Sequence, residues 1–134
     1  MKGDGDNLDA RRIRSYKDLL VWQRAHSLVK KIFRLCRKLP KNRETDIISR
    51  QLIEAGTSIP ANVAEGYGGH LGKGFAKYLE IARGSTTETD YWTYLLYDEK
   101  YISKDEYEDV AKDCRELILM TNSMVNRIRG KVKS

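Results

Sequence analysis

The chain has 134 residues, 40% of them hydrophobic and 33% charged, a size and balance that suit one soluble domain and exclude a disordered chain or a membrane span of about 20 apolar residues. Lys and Arg number 25 against 19 Asp and Glu, giving a net charge of +6 that favours polyanionic partners without naming one. The opening MKGDGDNLDARRIRS has no apolar stretch of the secretory kind, so the expected compartment is the cytoplasm and Cys36 and Cys114 are expected as reduced, buried thiols.

Residues 1–14 hold little to bury and are expected to form a mobile tail. Beyond them the apolar residues recur at intervals of three and four, which predicts helix throughout and no strand. Ser15, with Asp18 three positions on, offers a start to a first helix that runs to about Lys38, where Leu39-Pro40 stops it. A second begins between Asn42 and Thr45 and ends at the Gly66, Gly68, Gly69 cluster. Pro60 lies inside it, and its ring should crowd the carbonyl of Gly56 and kink the helix locally. A third spans about Lys73 to Lys100. Ser103-x-x-Glu106 is a capping box for a fourth, whose Val110, Cys114, Leu117, Thr121, Met124 and Ile128 make a bundle seam that fades at Gly130. Four such helices joined by short turns predict an all-α, up-down four-helix bundle over residues 15–130, followed by a basic tail at 131–134.

The charge is segregated. Residues 19–40 contain Arg24, Lys30, Lys31, Arg34, Arg37 and Lys38 with no acid, so this one helix carries the whole excess. At about 100° per residue these six fall within an arc of roughly 140°, opposite the apolar side of the helix. Such a face is a candidate phosphate-binding site, and the competing expectation is a solubilising surface that meets acids of the third and fourth helices. Arg127, Arg129, Lys131 and Lys133 form a second basic group with no acid after Glu116. They also suit the negative end of the helix dipole.

The third helix is expected to turn a stripe of Phe75, Tyr78, Leu79, Ala82, Ser85, Thr86, Thr89, Thr93 and Leu96 toward the other three helices. Tyr91, Tyr94, Leu95 and Tyr101 point away from it. A second aromatic face suggests contact with another copy of the chain, because tyrosine combines large area with a hydrogen-bonding group.

Catalytic chemistry is hard to assemble from this inventory. His26 and His70 are the only imidazoles and neither has an evident activating partner. A carboxylate-bridged metal bundle would need Glu-x-x-His pairs, which are absent, so no metal, cofactor or catalytic residue is expected. Gly72-Lys73 before a helix resembles a phosphate loop in part, but Tyr67 stands where the first Gly is needed and Gly74 where Ser or Thr is.

Four blocks in order, Tyr16 to Ala25 (YKDLLVWQRA), Ser58 to Gly66 (SIPANVAEG), Phe75 to Ser85 (FAKYLEIARGS) and Glu88-Thr89, carry a family resemblance. In sequence and spacing the chain resembles the four-helix-bundle proteins encoded in intervening sequences of bacterial 23S ribosomal RNA genes. Related to that family is the accessory variability determinant of diversity-generating retroelements, a basic homopentamer that binds RNA or DNA and a reverse transcriptase. The resemblance therefore implies a ring-shaped homo-oligomer, with RNA or DNA and a reverse transcriptase as partners. Asn62 and Glu65 of the SIPANVAEG block are expected to serve structure rather than catalysis. The expected function is a non-enzymatic scaffold that holds nucleic acid by its phosphates. The alternative is an adaptor whose basic face docks an acidic protein and leaves nucleic acid alone.

Overall fold

The computed structural model describes residues 13–69 and 72–130. A 3-10 turn, Tyr16–Asp18, precedes four helices: α1 (Leu20–Arg37), α2 (Arg43–Gly69), α3 (Lys73–Asp98) and α4 (Lys104–Arg129). Each helix packs on its neighbour in sequence and α1 closes the circle against α4, which is the expected up-down bundle; no strand occurs among the described residues. Leu28, Ile32, Leu52, Ile59, Leu79, Leu96 and Leu117 are fully buried and draw on all four helices. Thr86, Thr89, Thr93 and Thr121 share that interior. Their hydroxyls donate to the carbonyls four residues back, Ala82, Ser85, Thr89 and Leu117, each at 2.8 Å, so no hydroxyl is buried without a partner.

The first helix starts later than its sequence suggests. Ser15 and Asp18 do form a capping box, but it closes only the 3-10 turn. Leu19 then adopts an extended backbone (φ −77, ψ 131) and buries its side chain, and α1 begins after it with no side-chain cap. The body of the bundle also reaches back past the expected boundary: Ile13 packs against the core, and the Arg14 N–H donates to Asp18 Oδ2 at 2.8 Å. The rest of the predicted tail, residues 1–12, lies outside the described residues, as do 131–134.

Helix α2 is helical across all 27 residues, Pro60 included. The Asn62 amide donates to the Ser58 carbonyl at 2.7 Å, which matches the structural role expected of it. Gly66 matters for a different reason from its place near the helix end. A Cβ there would lie 2.8 Å from Tyr78 Cβ and 2.9 Å from Phe75 Cδ1, so only glycine lets α3 approach this closely. Ser103 and Glu106 cap α4 reciprocally, and Gly130 ends it in the left-handed region at φ 73. Both cysteines are free. Cys114 is buried, which pushes its thiol up to about 12. Cys36 is only half-buried, at the α1–α2 side.

Candidate nucleic-acid interface

The five cations of α1 and Lys38, which caps its C-terminus, do not form one free face; they split into two rows. On a helical wheel at about 100° per residue, Arg24, Lys31 and Lys38 lie within roughly 40° of one another, and Lys30, Arg34 and Arg37 within roughly 60°, the two rows about 90° apart. The first row faces α4. Lys38 Nζ reaches Glu106 Oε2 at 2.7 Å, Lys31 Nζ lies 2.9 Å from Asp109 Oδ1 and 2.8 Å from Asp113 Oδ2, and Arg24 pairs with Glu116. The antiparallel direction of the two helices sets this register, with the start of α1 beside the end of α4. The expectation that all six cations stay unneutralised is therefore corrected for Arg24, Lys31 and Lys38.

Lys31 is held most firmly. Burial works against its charge, but the hydrogen bonds it donates to Asp113 and Asp109 and their negative charges outweigh that and raise its pKa above the ordinary lysine value. Asp113 itself is only 8% exposed, so losing Lys31 would strand a poorly hydrated carboxylate, which costs more than breaking a solvated surface bridge. Glu106 is held below the usual carboxylate range, first by the hydrogen bond from Lys38 and then by the Ser103 backbone.

The second row is solvent-facing. Lys30, Arg34 and Arg37 are exposed, and among the described residues no carboxylate is in ion-pair reach of any of them. This row meets a groove of about 560 Å³ where α1 turns into α2. Half-buried Phe33 and Ile53 and buried Leu39 supply apolar wall, and exposed Arg37, Lys41 and Arg43 stand at its margin. The acids nearby are occupied: Asp46 accepts from Arg50 at 2.7 Å and Glu44 accepts from the Tyr101 hydroxyl at 2.7 Å.

The C-terminal basic group is divided too. Arg129 makes a two-nitrogen pair with Glu80 of α3; this explains why the Glu80 carboxyl lies below its ordinary value. Arg127 is exposed and donates to the Ser123 hydroxyl at 3.4 Å. Lys131, Lys133 and His70 lie outside the described residues.

Of the four residues expected to contact another copy, Tyr91 and Tyr94 are 52% and 44% exposed and Leu95 is half-buried. Tyr94 packs edge-on to Tyr107 of α4, with ring centroids 5.6 Å apart. The Tyr107 hydroxyl donates to Asp90 at 2.9 Å, and burial followed by that carboxylate pushes its pKa up to about 12. Tyr101 departs from expectation, because its hydroxyl is spent inside the chain on Glu44, tying the α3–α4 turn to the start of α2. His26 stacks on Trp22 with centroids 4.7 Å apart. Among the described residues no helix is long and apolar enough to cross a membrane.

The competing expectation, that the basic face meets acids of the third and fourth helices, is met for Arg24, Lys31 and Lys38 by α4 alone. Their seven-residue spacing signals those partners, since α4 repeats it as two interleaved pairs, Glu106 with Asp113 and Asp109 with Glu116. The groove was not signalled, since Phe33, Lys41 and Arg43 come together only through the α1–α2 turn.

Fold and surface together define a basic, antiparallel four-helix-bundle protein whose first helix carries a row of cations with no ion-pair partner among the described residues. Residues 17–123 match the 23S rRNA-intervening sequence protein family; the match spans well over half of the chain, which belongs to that family. The chain is also similar to a crystal structure at 1.70 Å of a protein of unknown function from the S23 ribosomal protein family of Bacteroides thetaiotaomicron VPI-5482. The two share 28% identity with a TM-score of 0.73, covering 79% of this chain and 98% of that one. No curated protein matches the chain.

Proposed function

We propose that this protein is a non-enzymatic, oligomeric scaffold of the cytoplasm that binds RNA or DNA by its phosphates, through Lys30, Arg34 and Arg37 on the outward side of α1. The observation that supports this reading most directly is the contrast within one helix. A helix without a single acid keeps three cations in solvent, unclaimed by the carboxylates that bind its other three. Arg127, and by extension Lys131 and Lys133, adds to the positive field around the bundle. The contacts proposed for that row are to phosphates, which fix position without carrying sequence information.

A ring would repeat the row on every subunit and multiply weak contacts. Exposed Tyr91 and Tyr94, with Leu95, support self-association, and the likeness to a retroelement accessory protein makes a pentamer the assembly and a reverse transcriptase the further partner proposed. Sedimentation equilibrium reads the subunit number: a pentamer is expected, and a monomer at micromolar concentration would remove the ring from the proposal.

The binding test is a titration of labelled single-stranded RNA across a salt series. Three phosphates neutralised predict that log K falls by about 2 per tenfold rise in salt. Reversing the row with Lys30→Glu, Arg34→Glu and Arg37→Glu should lower affinity about 100-fold or more at low salt and flatten that slope. An affinity indifferent to salt would defeat the proposal. RNA left free at moderate ionic strength would favour the adaptor role, in which the same cations dock an acidic protein.

A further inference from the structure

Resting on that phosphate-binding reading, we infer that the groove at the α1–α2 turn receives an unpaired base of the bound strand, which makes the protein selective for single-stranded over duplex nucleic acid. Arg37 belongs both to the exposed row of α1 and to the margin of the groove, so a backbone following Lys30, Arg34 and Arg37 is delivered to its mouth. Lys41 and Arg43 carry the positive margin onward past the end of α1. The interior changes character. Phe33, Leu39 and Ile53 offer a flat ring beside aliphatic wall, the surface a base needs when it leaves its own stack.

Size and charge agree with that occupant. The volume of about 560 Å³ falls within the roughly 300–1,000 Å³ of small-ligand sites and leaves room for one nucleotide, not a helix. The one carboxylate on the wall, Asp46, is held by Arg50 at 2.7 Å, so the anion meets a net cationic rim. Thr45 is unavailable as a base reader because its hydroxyl is engaged with the Pro40 carbonyl and Asn42. A duplex keeps its bases stacked and paired, and can touch only the outer row.

The experiment compares one labelled 12-nucleotide RNA, single-stranded and annealed to its complement, by fluorescence anisotropy at fixed ionic strength on the full chain. The single strand should bind about tenfold more tightly or better. Phe33→Leu keeps apolar volume but removes the ring, and should shrink the ratio of single-strand to duplex affinity toward one; Phe33→Ala should do so further, with helical content by circular dichroism confirming the fold. A 4-thiouridine placed mid-strand should cross-link, on irradiation, to the peptide holding residues 33–43. Equal binding of both forms, with both weakened by Lys30→Glu and Arg34→Glu, would overturn the groove while leaving the phosphate row intact. No binding of either form would overturn both.

Discussion

Lys31 and Arg34 sit one turn apart on the same helix and meet opposite fates. Lys31 is clasped by Asp109 and Asp113 from α4, whereas Arg34 is exposed and, although it lines a shallow depression with Glu106 and Asp109, has no described carboxylate within ion-pair distance. Residue type does not distinguish them; position around the helix does. A cation on the flank of the α1–α4 seam is structural because α4 supplies acids at matching heights, and one about 60° further round, as Arg34 is, is left available for a ligand. A count of charge per helix therefore overstates a binding face wherever the neighbouring helix carries the complementary pattern.

Reversing one charge in each row tests this separation most severely. Lys31→Glu would set a third carboxylate against Asp109 and the nearly buried Asp113, and should cost about 3 kcal/mol, read as a fall in melting temperature of roughly 10 °C. Arg34→Glu changes a solvated position and should alter stability by no more than about 0.5 kcal/mol. RNA affinity should respond the other way for a folded protein, with Arg34→Glu weakening it. Equal destabilisation by both variants would mean that the two rows are not distinct.

The sequence carried the bundle because helices announce themselves locally. Spacing at three and four, the Ser103–Glu106 capping box and the Leu39-Pro40 stop depend only on nearby residues, and all three features recur in the structure. The misplaced start of α1 has the same origin read in reverse: the Ser15–Asp18 box is locally satisfied by one 3-10 turn, and only burial of Leu19 against the assembled core breaks the helix after it. The site was legible as a list of cations but not as a map. Whether a lysine is paired depends on a helix some 75 residues away in the chain, as in the pair of Lys31 with Asp109. Tyr101 shows the same limit, since nothing near it in sequence indicates that Glu44 will accept its hydroxyl.

The gentlest probe of the paired row is acid. Glu106 titrates below the ordinary glutamate value because Lys38 and the Ser103 N–H bind its charged form. A carboxylate whose pKa is depressed on folding stabilises the native state above its unfolded value, about 4.3, and loses that contribution as the pH falls through the folded value. Lys31 runs the opposite way: its raised pKa gives a contribution that is present below the unfolded lysine value, near 10.4, and fades as the pH climbs through the folded value. The Lys38–Glu106 pair is largely solvated, with side chains 66% and 32% exposed, so its worth is under about 1 kcal/mol. Urea unfolding of the parent chain and of Lys38→Met, which keeps most of the aliphatic stem, should show a gap of about 0.5 kcal/mol at pH 7. That gap should close at a pH low enough to protonate Glu106 in the folded as well as the unfolded chain. A gap of the same size at both values would show that Lys38 acts by packing alone, and would take one rung out of the α1–α4 ladder on which the contrast between the two rows depends.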